Sequence, residues 1–207
     1  MAIAEVPEYL LKKIKNQVEF YFGDVNMQRD EFLIRITKLD DGWVPMSTML
    51  KFRLLASMSR SIPTIIKALR DSELIEISDD EKKIRRKPVK VLPEYNEEYR
   101  KAQEAKTIFL KGFPLDTPMQ ELIDYFEPQG VVNIFIRKDM KGTGYFFNGS
   151  LYVQFKTVHD ARAFLERESV KYNGTELIKM WSAECADKDQ SGKSWKYQGI
   201  SSLWKRP

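Results

Sequence analysis

The chain has 207 residues, of which 43% are hydrophobic and 31% charged, so it can build one large core or two small ones. Its single cysteine excludes a disulfide framework and favours a reducing compartment, and no apolar run reaches the roughly 18 residues that a membrane span needs. The net charge of +4 is a mild basic excess, which gives weak support to a nucleic-acid partner.

The sequence supplies few residues for catalysis. His159 and Cys185 are its only histidine and cysteine, so no His/Cys metal cluster can form. Sequence separation does not exclude a Cys–His pair, but the residues around Cys185 do not resemble an activated nucleophile. Gly142 and Gly144 lack the following Lys-Ser/Thr of a phosphate-binding loop. We therefore expect no enzyme, no cofactor and no small-molecule substrate.

The first predicted helix covers residues 7–22 and is expected to end at a left-handed Gly23. One apolar stripe on it predicts a core face, formed by Leu11, Ile14, Val18 and Phe22. Beside that stripe lie Gln17, Phe20 and Tyr21. Together these apolar and aromatic positions cover more of the helix circumference than a surface helix needs. The helix is therefore either buried on two sides or lines a pocket.

Further short helices follow the break at Gly23. Asn26 is a candidate cap for a helix that carries Phe32 and Leu33. Ser47 is expected to cap a helix that continues to residue 54, and Pro63 to stand at the first position of another.

Strand patterns then end the first half of the chain. A turn at residues 40–42 precedes an extended piece at 43–45, and residues 74–77 and 83–85 read as two strands around a turn. Short helices followed by a small hairpin predict a winged helix-turn-helix domain over residues 1–88. The proline-containing, polar residues 89–105 are interpreted as a linker that could contain a short helix.

A basic cluster covers the end of this domain, with Lys82, Lys83, Arg85, Arg86, Lys87 and Lys90. Such a cluster can follow an RNA backbone, because cations attract phosphates. It can equally be a solvated wing, and the sequence leaves both interpretations open.

The second half of the chain has a different pattern, in which predicted strands are separated by two predicted helices. Strands are predicted at residues 107–113, 131–137, 151–155 and 175–181. Thr117, with a capping-box spacing to Gln120, and Thr157 open the two intervening helices. The resulting βαββαβ order covers residues 106–184 and makes the whole chain an α+β protein. The tail, residues 185–207, holds Trp195, Tyr197 and Trp204, which could pack on a folded part.

The second half resembles an RNA recognition motif through IFLKGF at residues 108–113 and NGSLYVQF at 148–155. Asn148 stands where the family has a basic residue, and Ser150 replaces the first aromatic. Phe109 and Tyr152 remain as rings that could stack on bases, so we expect weaker binding by this sheet face than in a full motif. Alternatively, these two rings only pack against another part of the protein.

The first half resembles the La motif through FYFGDVNMQRDEFL, KLDDGWVPMSTMLKF and KIRRKP. Together the blocks cover most of residues 8–182 in the order of the La family: La motif, short linker, RNA recognition motif. The match looks closer to genuine La proteins than to La-related ones.

This resemblance implies binding to the UUU-OH 3′ ends of RNA polymerase III transcripts. Position by position, the implied RNA-binding residues are Gln17, Phe20, Tyr21, Asp30, Phe32 and Phe52, with Asn133 and Ile134 from the second domain. Possible further contacts are Arg53, Phe109, Tyr152, Lys82, Lys83, Arg85 and Arg86. The family often has tyrosine at the position of Phe20, asparagine at Arg53 and lysine at Ile34.

Physical chemistry fits these implied roles. The Asp30 carboxylate can accept from the vicinal 2′- and 3′-hydroxyls of a terminal ribose and would repel a 3′-phosphate. The alternative for Asp30 is a helix-surface carboxylate paired with Arg29 or Lys38. Aromatic rings stack on any base, whereas the Gln17 amide can match a uracil edge.

The family further implies protection of RNA ends from exonucleases, help in the maturation of precursor tRNA and other small RNAs, a monomer and a nuclear location. La proteins usually continue into a further C-terminal region. Three alternatives stay open: a La-related protein that serves one RNA or messenger RNA, a protein-interaction module and a winged-helix DNA binder.

Overall fold

The computed structural model describes residues 6–188. They divide into two compact units, the first ending at Pro93 and the second beginning at Glu94. The boundary falls inside the predicted linker. The tail residues Trp195, Tyr197 and Trp204 lie outside the described residues. Over residues 6–188, no helix is long and apolar enough to cross a membrane.

The first unit consists of short helices and one small antiparallel sheet. Its helices are α1 Glu8–Tyr21, α2 Asp24–Met27, α3 Glu31–Thr37, α4 Met46–Met49, α5 Arg53–Met58 and α6 Ile62–Leu69. Its strands are β1 Val44–Pro45, β2 Ile75–Ile77 and β3 Lys83–Arg86, in the order β1-β3-β2. The β2–β3 hairpin is the predicted wing.

The core of this unit forms around the predicted stripe of α1. Ile14, Val18 and Phe22 of the predicted stripe have no exposed surface, Leu11 is half-buried against the core, and α1 packs against α5 and α6. Burying each such side chain contributes about 1.5–3 kcal/mol to the stability of the unit.

The break after α1 differs from the prediction. Gly23 has φ −69° and ψ 157°, so it is extended rather than left-handed, and it precedes α2 as its N-cap. A Cβ there would lie 3.2 Å from the carbonyl oxygens of Glu19 and Phe20, so a larger residue would crowd the end of α1. The side chain of Asn26 is not a helix cap either. It donates a 2.8 Å hydrogen bond to the Tyr21 carbonyl, and Asp30 caps the helix that carries Phe32.

Two other helix starts also differ. Pro45, not Ser47, precedes α4, and the single helix expected to run to residue 54 is broken into α4 and α5, with Phe52 as the N-cap of α5. Ser61 caps α6, which begins at Ile62 and therefore holds Pro63 at its second position. Of these three N-caps, Ser61 caps its helix with a side-chain hydrogen bond, whereas Pro45 and Phe52 make none.

The second unit begins with α7 Glu97–Glu104, capped by Asn96, in the predicted linker. It continues with β4 Thr107–Lys111, α8 Met119–Phe126, a 3₁₀ turn Glu127–Gln129, β5 Val131–Lys141, β6 Gly144–Phe155, α9 Val158–Leu165, β7 Lys171–Tyr172, β8 Thr175–Glu176, β9 Ile178–Trp181 and α10 Ser182–Lys188. The four-stranded antiparallel sheet has the order β5-β6-β4-β9. This confirms the predicted βαββαβ arrangement and the α+β class.

Details of this unit again depend on local partners. Thr157 caps α9 as predicted, accepting from the Asp160 amide at 3.0 Å. Thr117 does not cap α8, because its hydroxyl donates to the Pro114 carbonyl and Pro118 is the N-cap. β5 and β6 extend beyond their predicted ends as a long hairpin, and the predicted strand 175–181 is interrupted at Leu177.

Candidate nucleic-acid interface

Four aromatic rings predicted as RNA contacts form a continuous row in the first unit. The ring centroids of Tyr21 and Phe52 lie 4.6 Å apart, those of Phe32 and Phe52 lie 5.8 Å apart, and those of Phe20 and Tyr21 lie 6.0 Å apart. We call Phe20, Tyr21, Phe52 and Phe32, in this order, the aromatic row. Residues from α1, α3 and the start of α5 thus come together at one place.

Burial differs along the aromatic row. The inner rings of Tyr21 and Phe52 are 0% and 4% exposed and belong to the core of the unit. The outer rings of Phe20 and Phe32 are half-buried and only pack against that core. The outer rings therefore have surface to offer a base, whereas the inner rings hold them in place.

The Tyr21 hydroxyl lies close to two polar residues of the predicted site. Burial is the main cause that raises the pKa of Tyr21, and the negative charge of Asp30 adds to the rise. Hydrogen bonding with Gln17 and with the backbone of Leu55 acts on this pKa in the opposite direction. Gln17, Tyr21 and Asp30 are therefore neighbours, although nine residues separate Asp30 from Tyr21 in the sequence.

The carboxylate of Asp30 is fixed by the backbone of α3. Its Oδ1 accepts hydrogen bonds from the amides of Phe32 at 3.0 Å and Leu33 at 3.1 Å. The residue is only 4% exposed, so its carboxylate is buried rather than on the helix surface. The N-cap holds a buried negative charge in one orientation beside Tyr21.

Asn26 is a residue of this site that the sequence did not assign to it. It is 6% exposed, its side chain donates to the Tyr21 carbonyl, and its own carbonyl accepts from the Asp30 amide at 2.8 Å. A polar residue directly after a predicted break was the available signal, but it suggested a helix cap. Asn26 instead connects the end of α1 to Asp30.

The basic residues of the wing differ in what they can offer to RNA. The Lys82 side chain is 79% exposed, whereas Lys83 donates to Asp40 at 2.7 Å, a bond that raises the pKa of Lys83. Arg53, which directly follows Phe52, is also exposed. Lys82 and Arg53 therefore keep accessible charges on this unit.

The two wing arginines are mostly enclosed. Arg85 is 15% exposed, pairs with Glu76 at 2.8 Å and Asp41 at 2.7 Å, and lies over the Trp43 ring at 4.3 Å. Arg86 is 13% exposed and pairs with Asp24 at 2.6 Å. Both guanidinium groups have partners within the protein.

In the second unit, Asn133 and Ile134 lie on the edge strand β5. The Asn133 amide donates to the Gln154 side-chain oxygen at 2.6 Å, and Ile134 is 6% exposed and pairs with Val153 of β6. The register shifts between Val131 and Asn133, so an irregular piece of edge strand precedes the predicted contact residues.

The sheet face that carries Phe109 and Tyr152 is covered. Their centroids lie 5.4 Å apart on paired strands, but the residues are only 4% and 8% exposed. Cys185 of α10 lies with Sγ 3.9 Å from the Tyr152 hydroxyl, and Gln154 bonds Gln103 of α7. This burial favours the interpretation in which both rings pack against other parts of the protein.

Comparison with known proteins identifies the family. A model of the La domain matches residues 14–71, and a model of the RNA recognition motif matches residues 108–178. A La protein homolog of Drosophila melanogaster is 44% identical over 84% of this chain and 46% of its own length. The Lupus La protein homolog of Mus musculus is 36% identical over 90% of this chain and 45% of its own length.

A solved structure named La autoantigen N-terminal domain is 33% identical, with a TM-score of 0.40, over 45% of this chain and all of that one. The chain spans less than half the length of the La proteins it matches. La-related protein 7 of Danio rerio is 28% identical over 76% of this chain and 27% of its own length. With a La domain followed by an RNA recognition motif, and with 35–44% identity to La homologues over most of its length, this chain belongs to the La protein family.

Proposed function

We propose that this protein binds RNA at 3′ ends that finish in oligouridylate with a free hydroxyl, as RNA polymerase III transcripts do. One observation carries the proposal: the buried Asp30 carboxylate is held at the amide of Phe32 and near Tyr21 of the aromatic row, and Gln17 neighbours the same tyrosine. This arrangement joins a negatively charged acceptor, an amide and two half-buried rings at one place.

Each group has a task in this proposal. Asp30 accepts hydrogen bonds from the 2′- and 3′-hydroxyls of the last ribose, which internal nucleotides do not offer as a pair. A 3′-phosphate is repelled by the same charge. Phe20 and Phe32 stack on bases, at about 1–3 kcal/mol per base, and Gln17 donates to and accepts from the uracil edge.

The second unit contributes to the same RNA in this proposal. Asn133 and Ile134 contact a uridine from the edge strand β5, where the register shift leaves an irregular backbone. The amide of Asn133 is oriented by Gln154. The covered face around Phe109 and Tyr152 takes no part.

Binding of this kind protects the transcript end from exonucleases and assists the maturation of precursor tRNA and other small RNAs. The proposed protein acts as a monomer in the nucleus, and its role is to bind rather than to catalyse.

Binding of three short oligouridylates by the full chain tests the proposal. One ends in a 3′-hydroxyl, one in a 3′-phosphate, and one carries the same uridine tract internally. The proposal expects the 3′-hydroxyl RNA to bind most tightly. Equal affinity for all three would contradict it and would favour a La-related protein that reads some other feature of its RNA.

A further inference from the structure

Arg86, the last residue of the wing strand β3, is enclosed by four acceptors. Its Nη1 donates to the Phe22 carbonyl at 2.8 Å and its Nη2 to Asp24 Oδ1 at 2.6 Å. Its Nε donates to the Lys90 carbonyl at 2.5 Å, and Nη2 also lies 3.3 Å from the Val91 carbonyl. A guanidinium engaged in this way, with 13% of the side chain exposed, is poorly placed to contact an RNA phosphate.

The bonds of Arg86 join two segments of the first unit. Phe22 and Asp24 flank the break between α1 and α2, and Lys90 and Val91 belong to the segment that follows the wing. We call residues 87–93 the post-wing segment. Arg86 therefore fastens the start of α2 to this segment.

Gln28 makes a second connection of the same kind. Its side-chain amide donates to the Pro93 carbonyl at 2.7 Å, at the opposite end of α2. Both ends of a four-residue helix are thus tied to the post-wing segment, which leads directly to the second unit.

The position of α2 in turn determines where Asp30 lies. The Asp30 amide donates to the carbonyl of Asn26 in α2, and the Asn26 side chain donates to the Tyr21 carbonyl at the end of α1. A shift of α2 therefore moves Asp30 relative to Tyr21. The chain of contacts runs from Arg86 through Asp24 and Asn26 to Asp30.

We infer that Arg86 is a positioning residue, which holds α2 so that the Asp30 carboxylate faces the RNA 3′ end. Its role in RNA selection rests on the proposed function, whereas its role in holding α2 does not. Arginine is required because its planar guanidinium can donate to the Phe22 carbonyl and the Asp24 carboxylate at the same time. Lysine has the charge but lacks this planar group.

Arg86→Lys and Asp24→Asn test this inference in the full chain. Asp24→Asn is the milder change, because the Asp24 side chain is 45% exposed. Arg70→Lys is the matched control, since Arg70 bonds Glu81 at the wing turn and its side chain is 63% exposed.

Amide hydrogen exchange of the free protein gives the first readout. The inference expects both variants to lower protection of the Phe32 and Leu33 amides by roughly tenfold, the scale of one lost charged hydrogen bond, without a matching change at Ile65 and Ile66 of α6. The double variant should show little more than the larger single effect, because both changes break one connection. Unchanged protection at Phe32 and Leu33, or an equal loss at Ile65 and Ile66, would overturn it.

RNA binding gives the second readout, with oligouridylates that end in a hydroxyl or in a 3′-phosphate. Both variants should reduce the hydroxyl-over-phosphate affinity ratio by roughly tenfold and leave the salt dependence unchanged. A retained ratio in Arg86→Lys, or a salt slope lowered by about 0.7 when Arg86→Gln removes the charge, would instead make Arg86 a phosphate contact. If the wild-type protein itself lacked a hydroxyl preference, the proposed function would fail, and hydrogen exchange would still decide whether Arg86 holds α2.

Discussion

The Oδ1 atom of Asp30 accepts a hydrogen bond from the backbone amide of Phe32 at 3.0 Å. This bond makes one side chain both the cap of α3 and the charged group proposed to read an RNA end. It also fixes the carboxylate next to one of the two half-buried rings. The capping role and the RNA role need not respond alike to substitution, because asparagine caps helices as well as aspartate does but carries no charge.

The first prediction concerns the cap alone. Asp30→Ala removes the acceptor for two amides, so the first unit should lose about 0.5–2 kcal/mol of unfolding free energy, whereas Asp30→Asn should lose little. Urea unfolding followed through methyl signals of Ile65 and Ile66 measures this difference. Thr157→Ala is the control, because it removes the cap of α9 in the second unit. An equal loss in Asp30→Ala and Asp30→Asn would contradict the capping role.

The second prediction separates the outer from the inner rings of the aromatic row. Phe20→Leu and Phe32→Leu keep apolar bulk but remove a stacking surface, so affinity for oligouridylate should fall by about 5- to 150-fold at nearly unchanged stability. Phe52→Leu should mainly reduce stability, because this ring is buried. Phe126→Leu, in the core of the second unit, is the control for a distant buried ring. Normal affinity in both outer-ring variants would return Phe20 and Phe32 to a purely structural role.

The third prediction concerns alkaline pH. Burial raises the pKa of Tyr21 above its usual value of 10.0, so the folded state keeps this proton at a pH where the unfolded chain has lost it. Below a pH of about 10 the contribution of Tyr21 to the free energy of unfolding is constant. Above that pH the free energy of unfolding falls, by at most about 1.4 kcal/mol per pH unit. Tyr21→Phe should weaken this fall in the first unit. Tyr172→Phe, in the second unit, is the control and should leave the fall in the first unit unchanged. If Tyr21→Phe showed the same fall as wild type, Tyr21 would not be its cause.

The fourth prediction uses the single cysteine of the chain as a reporter. Cys185 is 9% exposed beside Tyr152, so a thiol reagent should modify the folded protein at least about tenfold more slowly than the urea-unfolded chain. Oligouridylate should leave this rate unchanged, because the proposed site does not use the covered sheet face. Phe109→Ala should accelerate modification by loosening that face. Faster modification in the presence of RNA would mean that RNA displaces α10 and reaches Phe109 and Tyr152.

The sequence predicted those features that depend on periodicity. The stripe of Ile14, Val18 and Phe22, the order of the strands along the chain and the cap at Thr157 follow from apolar spacing or from one local hydrogen bond. Such sequence patterns predict the structure correctly because burial and capping favour the same local conformation.

Features set by long-range partners were not predictable in this way. Arg86 belongs to a basic cluster in sequence, but folding brings it to Asp24, sixty-two residues away, and encloses its charge. Tyr152 carries a family signature for stacking, yet Cys185 and α10 cover it. Neither partner could be identified from residue spacing, since no local pattern indicates which distant segment will pack against Arg86 or Tyr152.

The most direct test of the proposed site measures the affinity of wild type and Asp30→Asn for oligouridylates that end in a 3′-hydroxyl or in a 3′-phosphate. Wild type should prefer the hydroxyl end. In Asp30→Asn the cap remains but the charge is lost, so affinity for the hydroxyl end should fall by roughly ten- to a hundredfold and the preference should nearly disappear. A preference as large in Asp30→Asn as in wild type would show that this carboxylate does not read the RNA 3′ end.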